Sequence, residues 1–207
     1  APAIERMRRC RMIVRYGIGV DNVDLEAAAR RGIAVVNVPD YGVQEVADHT
    51  LGLILAVVRK IPQVVQQVKR GRWDIAPLPP IFGLEGKTLG LGGFGNISRA
   101  VAKRAQSFNL QVIAHDPYAP DAWFEQWNVE RVGWHELLAR SDVLSLHLPL
   151  VEETRHLLNR EAFARMKPTA YLINTSRGGV VETEALLEAL QLGRIAGAAL
   201  DVLEEEP

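Results

Sequence analysis

The chain has 207 residues, of which 48% are hydrophobic and 24% are charged, a composition typical of one or two globular domains. Its formal net charge of −1 gives no overall field that attracts nucleic acid or an anionic membrane, so we expect neither as a partner. The single cysteine excludes an internal disulfide and any metal site built from several cysteines, and no metal site is predicted. The longest apolar run, about residues 51–58, is too short to span a bilayer, and no signal-peptide pattern opens the chain. A cytoplasmic location is therefore expected.

The first 80 residues predict two short strands, helices and a proline-rich arm. Strands at 12–15 and 33–36 flank a helix over 23–31, and a loop around Pro39 predicts a domain boundary near residue 40. Helical periodicity runs from about 44 to 59 and continues past Pro62 to about 69. The segment 71–80 holds three prolines, at 77, 79 and 80, which predict an extended arm.

From residue 87 onward the pattern alternates between strands and helices. Strands are predicted at 87–92, 110–115, 129–132, 142–148, 170–174 and 196–201, with helices near 96–107, 134–140, 160–166 and 183–192. Several of these strands are continuously apolar, as expected when both faces of a sheet are covered. The alternation predicts an α/β fold with a doubly wound parallel sheet, in which ligands lie beyond the carboxyl ends of the strands.

A glycine turn between the first of these strands and its helix predicts a phosphate-binding site. The fingerprint G-x-G-x-x-G is matched by Gly93 and Gly95, and Ser98 stands at its third, small position. The next strand ends at Asp116, 23 residues after Gly93, where the fingerprint expects an acid that binds the adenosine ribose. A carboxylate there repels a 2′-phosphate, which favours NAD over NADP. The alternatives are a packing turn at the glycines and a plain turn residue at Asp116.

Polar residues close two later strands. Arg177 follows a buried strand between polar residues and glycines, where a guanidinium can bind a carboxylate with two hydrogen bonds. Its alternative is an arginine that caps carbonyls or pairs with a surface acid. The acidic run Glu204–Glu206 has a solvated tail as its ordinary interpretation.

Taken together, several motifs in order resemble the D-isomer-specific 2-hydroxyacid dehydrogenases, the family of D-3-phosphoglycerate dehydrogenase, glyoxylate reductase and the C-terminal-binding-protein corepressors. They are Gly17–Asp24, Asn37–Pro39, Gly93–Ser98, His147–Leu150, Asn174–Gly179 and Gly197–Pro207. The resemblance implies a Rossmann NAD-binding domain at 41–207, with a long dimerisation helix and arm at about 43–80. It also implies part of a smaller, flavodoxin-like substrate domain at 1–40, in a chain truncated at both ends.

The resemblance also implies a role for each matched position. Around NAD it places pyrophosphate contacts at Gly93, Gly95, Asn96 and Ile97, the ribose contact at Asp116, an adenine-side residue at Leu148, and nicotinamide contacts at Thr175 and Asp201. Arg177, Ile18 and Gly19 would bind a small 2-hydroxy or 2-keto acid. Glu206 would be the partner of the catalytic histidine, while Glu204 and Glu205 stay solvated.

The same resemblance places the catalytic histidine beyond Pro207, so we expect the chain alone to bind NAD without catalysing the reaction. None of its five histidines matches that position: His49 lies in the long helix, His115 precedes Asp116, His147 ends a strand, and His135 and His156 are expected in surface helices. An NAD-dependent oxidoreductase is the favoured function. The alternatives are an NAD(H)-sensing scaffold of the corepressor type and a bare NAD-binding regulatory domain. The resemblance implies a homodimer formed through the helical segment. The alternative is a helix that packs within one monomer.

Overall fold

The computed structural model describes residues 2–74 and 81–206, and the chain divides into two compact units, Ala1–Val43 and Gln44–Pro207. The predicted boundary near residue 40 lies three residues before this division. Of the predicted arm, residues 71–74 are described, whereas its three prolines lie outside the described residues.

The first unit is a small parallel βαβ arrangement with a preceding helix. Its elements are α1 (Pro2–Arg6), β1 (Met12–Arg15), α2 (Leu25–Arg30) and β2 (Ala34–Asn37). The two strands pair in parallel, with Met12 opposite Ala34. Helix α2 begins after Asp24, whose carboxylate accepts a hydrogen bond from the amide of Ala27 at 2.8 Å and so caps the helix.

The predicted long helix is wrong as one continuous element, because it is divided into α3 (Val43–Val58) and α4 (Ile61–Lys69). Pro62 has no amide proton, and its ring would clash with the carbonyl of Val58 in an unbroken helix. The chain instead turns at Lys60, which adopts a left-handed conformation with φ of 56°. Lys60 is only 4% exposed, and its ammonium donates to the Tyr171 hydroxyl at 2.5 Å.

The second unit contains a six-stranded sheet in which every pair of neighbours is parallel. Its strands are β3 (Thr88–Gly92), β4 (Gln111–His115), β5 (Glu130–Arg131), β6 (Val143–Leu146), β7 (Tyr171–Asn174) and β8 (Gly197–Leu200). They are arranged in the order β5-β4-β3-β6-β7-β8. The order reverses between β3 and β6, which is the topology of the predicted doubly wound, Rossmann-type sheet.

The helices of this sheet are α5 (Asn96–Gln106), α6 (Asp121–Gln126), α7 (Trp134–Arg140), α8 (Arg160–Arg165) and α9 (Thr183–Gln191). Helix α6 was not expected from the sequence, and neither were two 3₁₀ helices, Glu152–Thr154 and Gly178–Val180. All three are short, and a helix of one or two turns carries too few apolar positions for a clear periodic signal. Strand β5 forms only over its middle two predicted residues.

The buried side chains lie on both faces of the central strands, as the continuously apolar patterns predicted. Strands β6 and β7 are buried at all four positions each. Leu144 and Leu172 pack with side chains of α7, α8 and α9, including Leu138, Phe163 and Leu186, in one apolar cluster. This rigid centre fixes the heights at which the strands end.

Across the described ranges, no single helix is both long enough and apolar enough to cross a membrane. Helices α3 and α4 reach that length and composition only when they are joined, and they are bent by 61° relative to each other.

Candidate functional site

Strand register brings the predicted residues of the sheet domain to one edge. Gly92 is level with His115 on one side and Leu146 on the other, and Leu146 is level with Asn174, which is level with Leu200. The residues that follow these strand ends therefore form a row along the carboxyl edge of the sheet. From the β4 end to the β8 end the row is Asp116, Gly93, His147, Thr175 and Asp201.

The glycine turn after β3 is closed by contacts that only glycine permits at position 93. Gly93 has φ of 88°, and a Cβ atom there would lie 2.6 Å from the carbonyl oxygen of His147. Ser98, at the third fingerprint position, is fully buried and donates its hydroxyl to the Gly93 carbonyl at 2.6 Å. The serine at this small position therefore adds a hydrogen bond that stabilises the turn.

Asp116 lies at the end of β4 and faces the glycine turn. One carboxylate oxygen accepts from the Phe94 amide at 2.8 Å. The other accepts from the amides of Tyr118 and Ala119 at 2.9 and 3.1 Å. Asp116 is therefore a turn residue, as the alternative interpretation predicted. The same side chain also connects the glycine turn to the end of β4.

The start of α5 offers open space and unpaired helix amides beside this turn. A Cβ atom added at Gly95 would meet nothing within 4 Å. Gly95 precedes the first turn of α5, where Asn96 and Ile97 have no carbonyl four residues earlier in the helix to accept from their amides. Helix dipole and free amides together suit a pyrophosphate, so the residues present fit the predicted dinucleotide.

Aromatic packing that the sequence did not indicate holds the turn from below. Phe94, the variable residue between the two glycines, is fully buried and stacks on Phe124 of α6 at 4.5 Å between ring centroids. Arg99 of α5 lies over the Trp123 ring at 3.8 Å and donates to the Phe94 carbonyl at 3.1 Å. Since α6 was not predicted, no pattern in the chain pointed to these contacts.

Leu148, the predicted adenine-side residue, lies beside the glycine turn. Its methyl carbons would be 3.2 Å from a Cβ at Gly93 and 3.7 Å from one at Gly92. The preceding His147 ring contacts the hydroxyl of Ser145 at 3.0 Å through Nε2. Although part of the residue stays accessible, desolvation of the imidazole lowers the pKa of His147 to about 4. The ring is therefore neutral at pH 7.

Arg177 is positioned by a side-chain turn at the end of β7. The buried Asn174 carboxamide accepts from the amide and the hydroxyl of Ser176 at 3.0 and 2.8 Å, and donates to the Arg177 carbonyl at 2.9 Å. Arg177 itself is half-buried, and its guanidinium donates to the Ser176 carbonyl at 2.7 Å. A capping contact of this kind was the alternative to a ligand-binding role.

Thr175 and Asp201, the two predicted nicotinamide contacts, each meet a side chain of α3. The Thr175 hydroxyl lies 3.1 Å from that of Thr50. Asp201 lies 3.2 Å from His49, measured between Oδ1 and Nε2. The sequence analysis did not identify Thr50 or His49 as partners. Their positions in the helical pattern resemble those of ordinary core and surface residues.

In the acidic tail after β8, Glu204 is exposed as expected, and it also makes side-chain hydrogen bonds. Its carboxylate accepts from the Thr183 hydroxyl at 2.9 Å and lies 2.5 Å from His156 Nε2. The hydrogen bond from His156 and those from Thr183 hold the pKa of Glu204 below its usual value. His156 is not in a surface helix as predicted, but in the connection before α8 with φ of 52°.

A close backbone contact fixes where this tail runs. A Cβ atom at Gly178 would lie 1.9 Å from the carbonyl carbon of Leu203, so the tail can pass there only over a glycine. Glu205 and Glu206 follow and are exposed. The carboxylate of Glu206 is therefore presented at the surface from a segment whose path is set by Gly178 and Glu204.

In the first unit, Ile18 and Gly19 lie in the loop between β1 and α2. The Ile18 carbonyl accepts from the Asn37 side chain at 2.7 Å, and the Gly17 carbonyl accepts from the Val38 amide at 3.2 Å. These bonds connect the two motifs Gly17–Asp24 and Asn37–Pro39. In both hydrogen bonds the loop contributes a carbonyl group. The amides of Ile18 and Gly19 take no part in these two bonds.

The parallel sheet, the closed glycine turn beside its switch point and the acid at the next strand end define a dinucleotide-binding domain. The chain belongs to the D-isomer specific 2-hydroxyacid dehydrogenase family, whose NAD binding domain matches residues 51–207. NAD is accordingly the cofactor of this domain, as the glycine turn and Asp116 predicted.

Curated relatives agree with this family. The chain is 47% identical over 205 residues to D-3-phosphoglycerate dehydrogenase of Methanocaldococcus jannaschii, and covers 39% of that protein and 99% of itself. It is 44% identical over 207 residues to hydroxypyruvate reductase of Thermotoga maritima, and covers 66% of that protein and all of itself. The chain thus spans about two fifths to two thirds of the length of these relatives.

A solved structure shows the same fold. The structure of D-lactate dehydrogenase from Aquifex aeolicus, complexed with NAD and lactic acid, matches with a TM-score of 0.91 at 34% identity. The match covers 99% of this chain and 61% of that one.

The lowered pKa of His147 predicts a loss of stability in mild acid. The folded pKa is about 4, below the ordinary 6.5, so the unfolded chain takes up the proton first as the pH falls. The contribution is fully present above pH 6.5 and is lost as the pH falls toward 4. Between pH 7 and 5 we expect the free energy of unfolding to fall less in His147→Gln than in the parent. The two decreases should differ by up to about 2 kcal/mol.

Urea titrations at pH 7 and pH 5 measure this difference. His135→Gln, on the exposed face of α7, is the matched control and should follow the parent. The pH 5 limit stays above the range in which the lowered pKa of Glu204 adds its own acid dependence. Parallel pH dependence in the parent and in His147→Gln would refute the assignment.

Proposed function

We propose that this chain is the NAD-binding part of an enzyme that interconverts a small D-2-hydroxy acid and its 2-keto acid by hydride transfer. The observation that carries the proposal is the row of strand ends, where the glycine turn, Thr175, Arg177 and Asp201 follow neighbouring parallel strands at one height. Cofactor-binding and carboxylate-binding groups are thereby side by side. The similarity to D-3-phosphoglycerate dehydrogenase and to hydroxypyruvate reductase supports the same reaction class.

The bound NAD supplies the hydride acceptor. In this proposal the amides of Asn96 and Ile97 bind the pyrophosphate, and Leu148 packs on the adenine side. Arg177 binds the carboxylate of the acid and polarises the carbonyl oxygen that becomes the hydroxyl. In the first unit, the amides around Ile18 and Gly19 are further proposed carboxylate-binding groups.

Glu206 acts through a histidine rather than on the substrate. A carboxylate beside an imidazole fixes its tautomer and stabilises its protonated form, which suits a group that exchanges a proton with a hydroxyl. The exposed position of Glu206, on a tail fixed by Gly178, supports this role. We further propose a cytoplasmic location, where NAD and small hydroxy acids are metabolites.

The reaction is tested by following NADH absorbance with the full-length protein and a panel of glyoxylate, hydroxypyruvate, pyruvate and phosphohydroxypyruvate. We expect oxidation of NADH with at least one of them. Arg177→Gln should lower kcat/KM by about a hundredfold, because the substrate carboxylate loses its charged partner. Arg165→Gln, on the exposed face of α8, should not. If the protein binds NADH but turns over none of the four acids, the proposed enzymatic function is refuted and an NAD(H)-sensing scaffold is favoured.

Asp116 is proposed to bind the adenosine ribose hydroxyls and to repel a 2′-phosphate. Asp116→Ala should weaken NAD binding about tenfold, the loss expected for hydrogen bonds to a charged acceptor. Because Asp116 also holds the Phe94 amide, a damaged turn would weaken NAD and NADP alike. Calorimetry with both cofactors separates the two effects: the preference for NAD over NADP should shrink in the variant. An unchanged preference would refute the ribose assignment.

A homodimer is proposed through α4. Ile61, Val65 and Val68 recur at helical spacing on one face of α4 and are 44–49% exposed, and Trp73 beyond the helix is 92% exposed. None of the residues of α4 is buried in the described chain. An apolar stripe of this kind suits a second copy of the same chain, the partner that the family resemblance implies.

Val65→Glu places a charge in the centre of this stripe and should convert the protein from dimer to monomer. Gln66→Glu makes the same addition of charge one residue along, on the polar side, and should remain dimeric. Light scattering coupled to size-exclusion chromatography gives both masses. A dimer that persists in Val65→Glu would place the interface elsewhere.

A further inference from the structure

Helix α3 brings two consecutive side chains to the ends of two neighbouring strands. Nε2 of His49 lies 3.2 Å from Oδ1 of Asp201, after β8. The hydroxyl of Thr50 lies 3.1 Å from the hydroxyl of Thr175, after β7. Thr175 and Asp201 are the two residues that the proposed function places at the nicotinamide. One helix therefore contacts both from outside the site.

The direction of the hydrogen bond between the two threonines follows from counting protons. A hydroxyl has a single proton to donate and two lone pairs that accept. Thr50 is fully buried and donates its proton to the Val46 carbonyl at 2.7 Å. The bond between the hydroxyls is therefore donated by Thr175. The Thr175 oxygen is left with a lone pair for a ligand, and without a proton.

Asp201 presents the same polarity to a ligand. An ionised carboxylate accepts hydrogen bonds and donates none. His49 lies on α3 with Nε2 3.2 Å from the carboxylate, a distance at which a protonated imidazole forms an ion pair with it. Both side chains are about half exposed, so the pair adds little to the stability of the fold. Its effect is to hold one rotamer of Asp201.

We propose, on the basis of the proposed function, that His49 and Thr50 are positioning residues that hold Asp201 and Thr175 as acceptors for the nicotinamide carboxamide. A carboxamide carries two N–H donors, and two acceptors on neighbouring strand ends select that amino group. An acetyl group of similar shape has no N–H and leaves both acceptors unpaired. The outer contacts of α3 thus determine which pyridine nucleotide is preferred.

The preference is measured by calorimetry on the full-length protein with NAD and with 3-acetylpyridine adenine dinucleotide, in which an acetyl group replaces the carboxamide. We expect the parent to prefer NAD about tenfold. Thr50→Val removes the oxygen that accepts from Thr175, so the Thr175 proton becomes available to the acetyl oxygen. The preference should fall to about threefold or less. Thr50→Ser keeps the hydroxyl and should keep the preference.

The other half of the pair is tested in the same way. His49→Ala should lower the preference for NAD, and His49→Gln should restore most of it, because its side-chain amide can donate to Asp201. His135→Ala, an exposed histidine of α7, is the control and should behave as the parent. ADP-ribose, which lacks the nicotinamide, should bind all of these variants with an affinity within about twofold of the parent.

Asp201→Ala separates this inference from the proposed function. If it lowers the preference while His49→Ala and Thr50→Val do not, the positioning role is overturned and the nicotinamide assignment stands. If Asp201→Ala leaves the preference unchanged, the assignment of Asp201 is wrong, and the inference falls with it. A parallel loss of ADP-ribose affinity in Thr50→Val would show a general structural effect and would likewise overturn the inference.

Discussion

Closure of the turn after β3 is the constraint on which the rest of the site depends. Gly93 passes so close to the carbonyl of His147 that a side chain would collide with it, and this approach lets β3 and β6 end side by side. Ser98 and Asp116 then fix the turn from two directions, through the Gly93 carbonyl and the Phe94 amide. Since the strand order reverses between β3 and β6, this turn determines where the first amides of α5 lie, and these are the amides that we propose bind the pyrophosphate.

A second close backbone approach organises the opposite end of the row. Gly178 contacts the backbone of Leu203, and Glu204 is held by His156 and Thr183, so the segment after β8 is tied to the turn after β7. The two ends of the row are therefore stabilised in the same way. At each end a glycine packs against the backbone of another segment, and a carboxylate accepts hydrogen bonds from neighbouring groups. In both places the carboxylate accepts hydrogen bonds from a neighbouring segment.

Helix α3 has a structural and a functional side. The break at Lys60 separates it from α4, whose apolar stripe is exposed, while α3 itself contacts the residues that follow β7 and β8. Arg104 of α5 donates to Asp48 of α3 at 2.6 Å, one residue before His49. The helix that contacts Thr175 and Asp201 is thus also connected to the helix that begins at the glycine turn. The proposed cofactor contacts at both ends of the row therefore share this support.

The sequence by itself determined the α/β class, the doubly wound parallel sheet, the glycine turn and the residues that close each strand. These follow from local rules: apolar strands buried on both faces, glycine where a turn is sharp, and polar residues where a strand meets solvent. Only the tertiary structure decided that α3 supplies His49 and Thr50, that Phe94 stacks on α6 and that Glu204 is anchored. Each of those contacts joins residues far apart in the chain, so no periodic pattern records it. The break at Lys60 was predictable only in part. Pro62 was visible in the sequence, whereas the contact between Lys60 and Tyr171 was not.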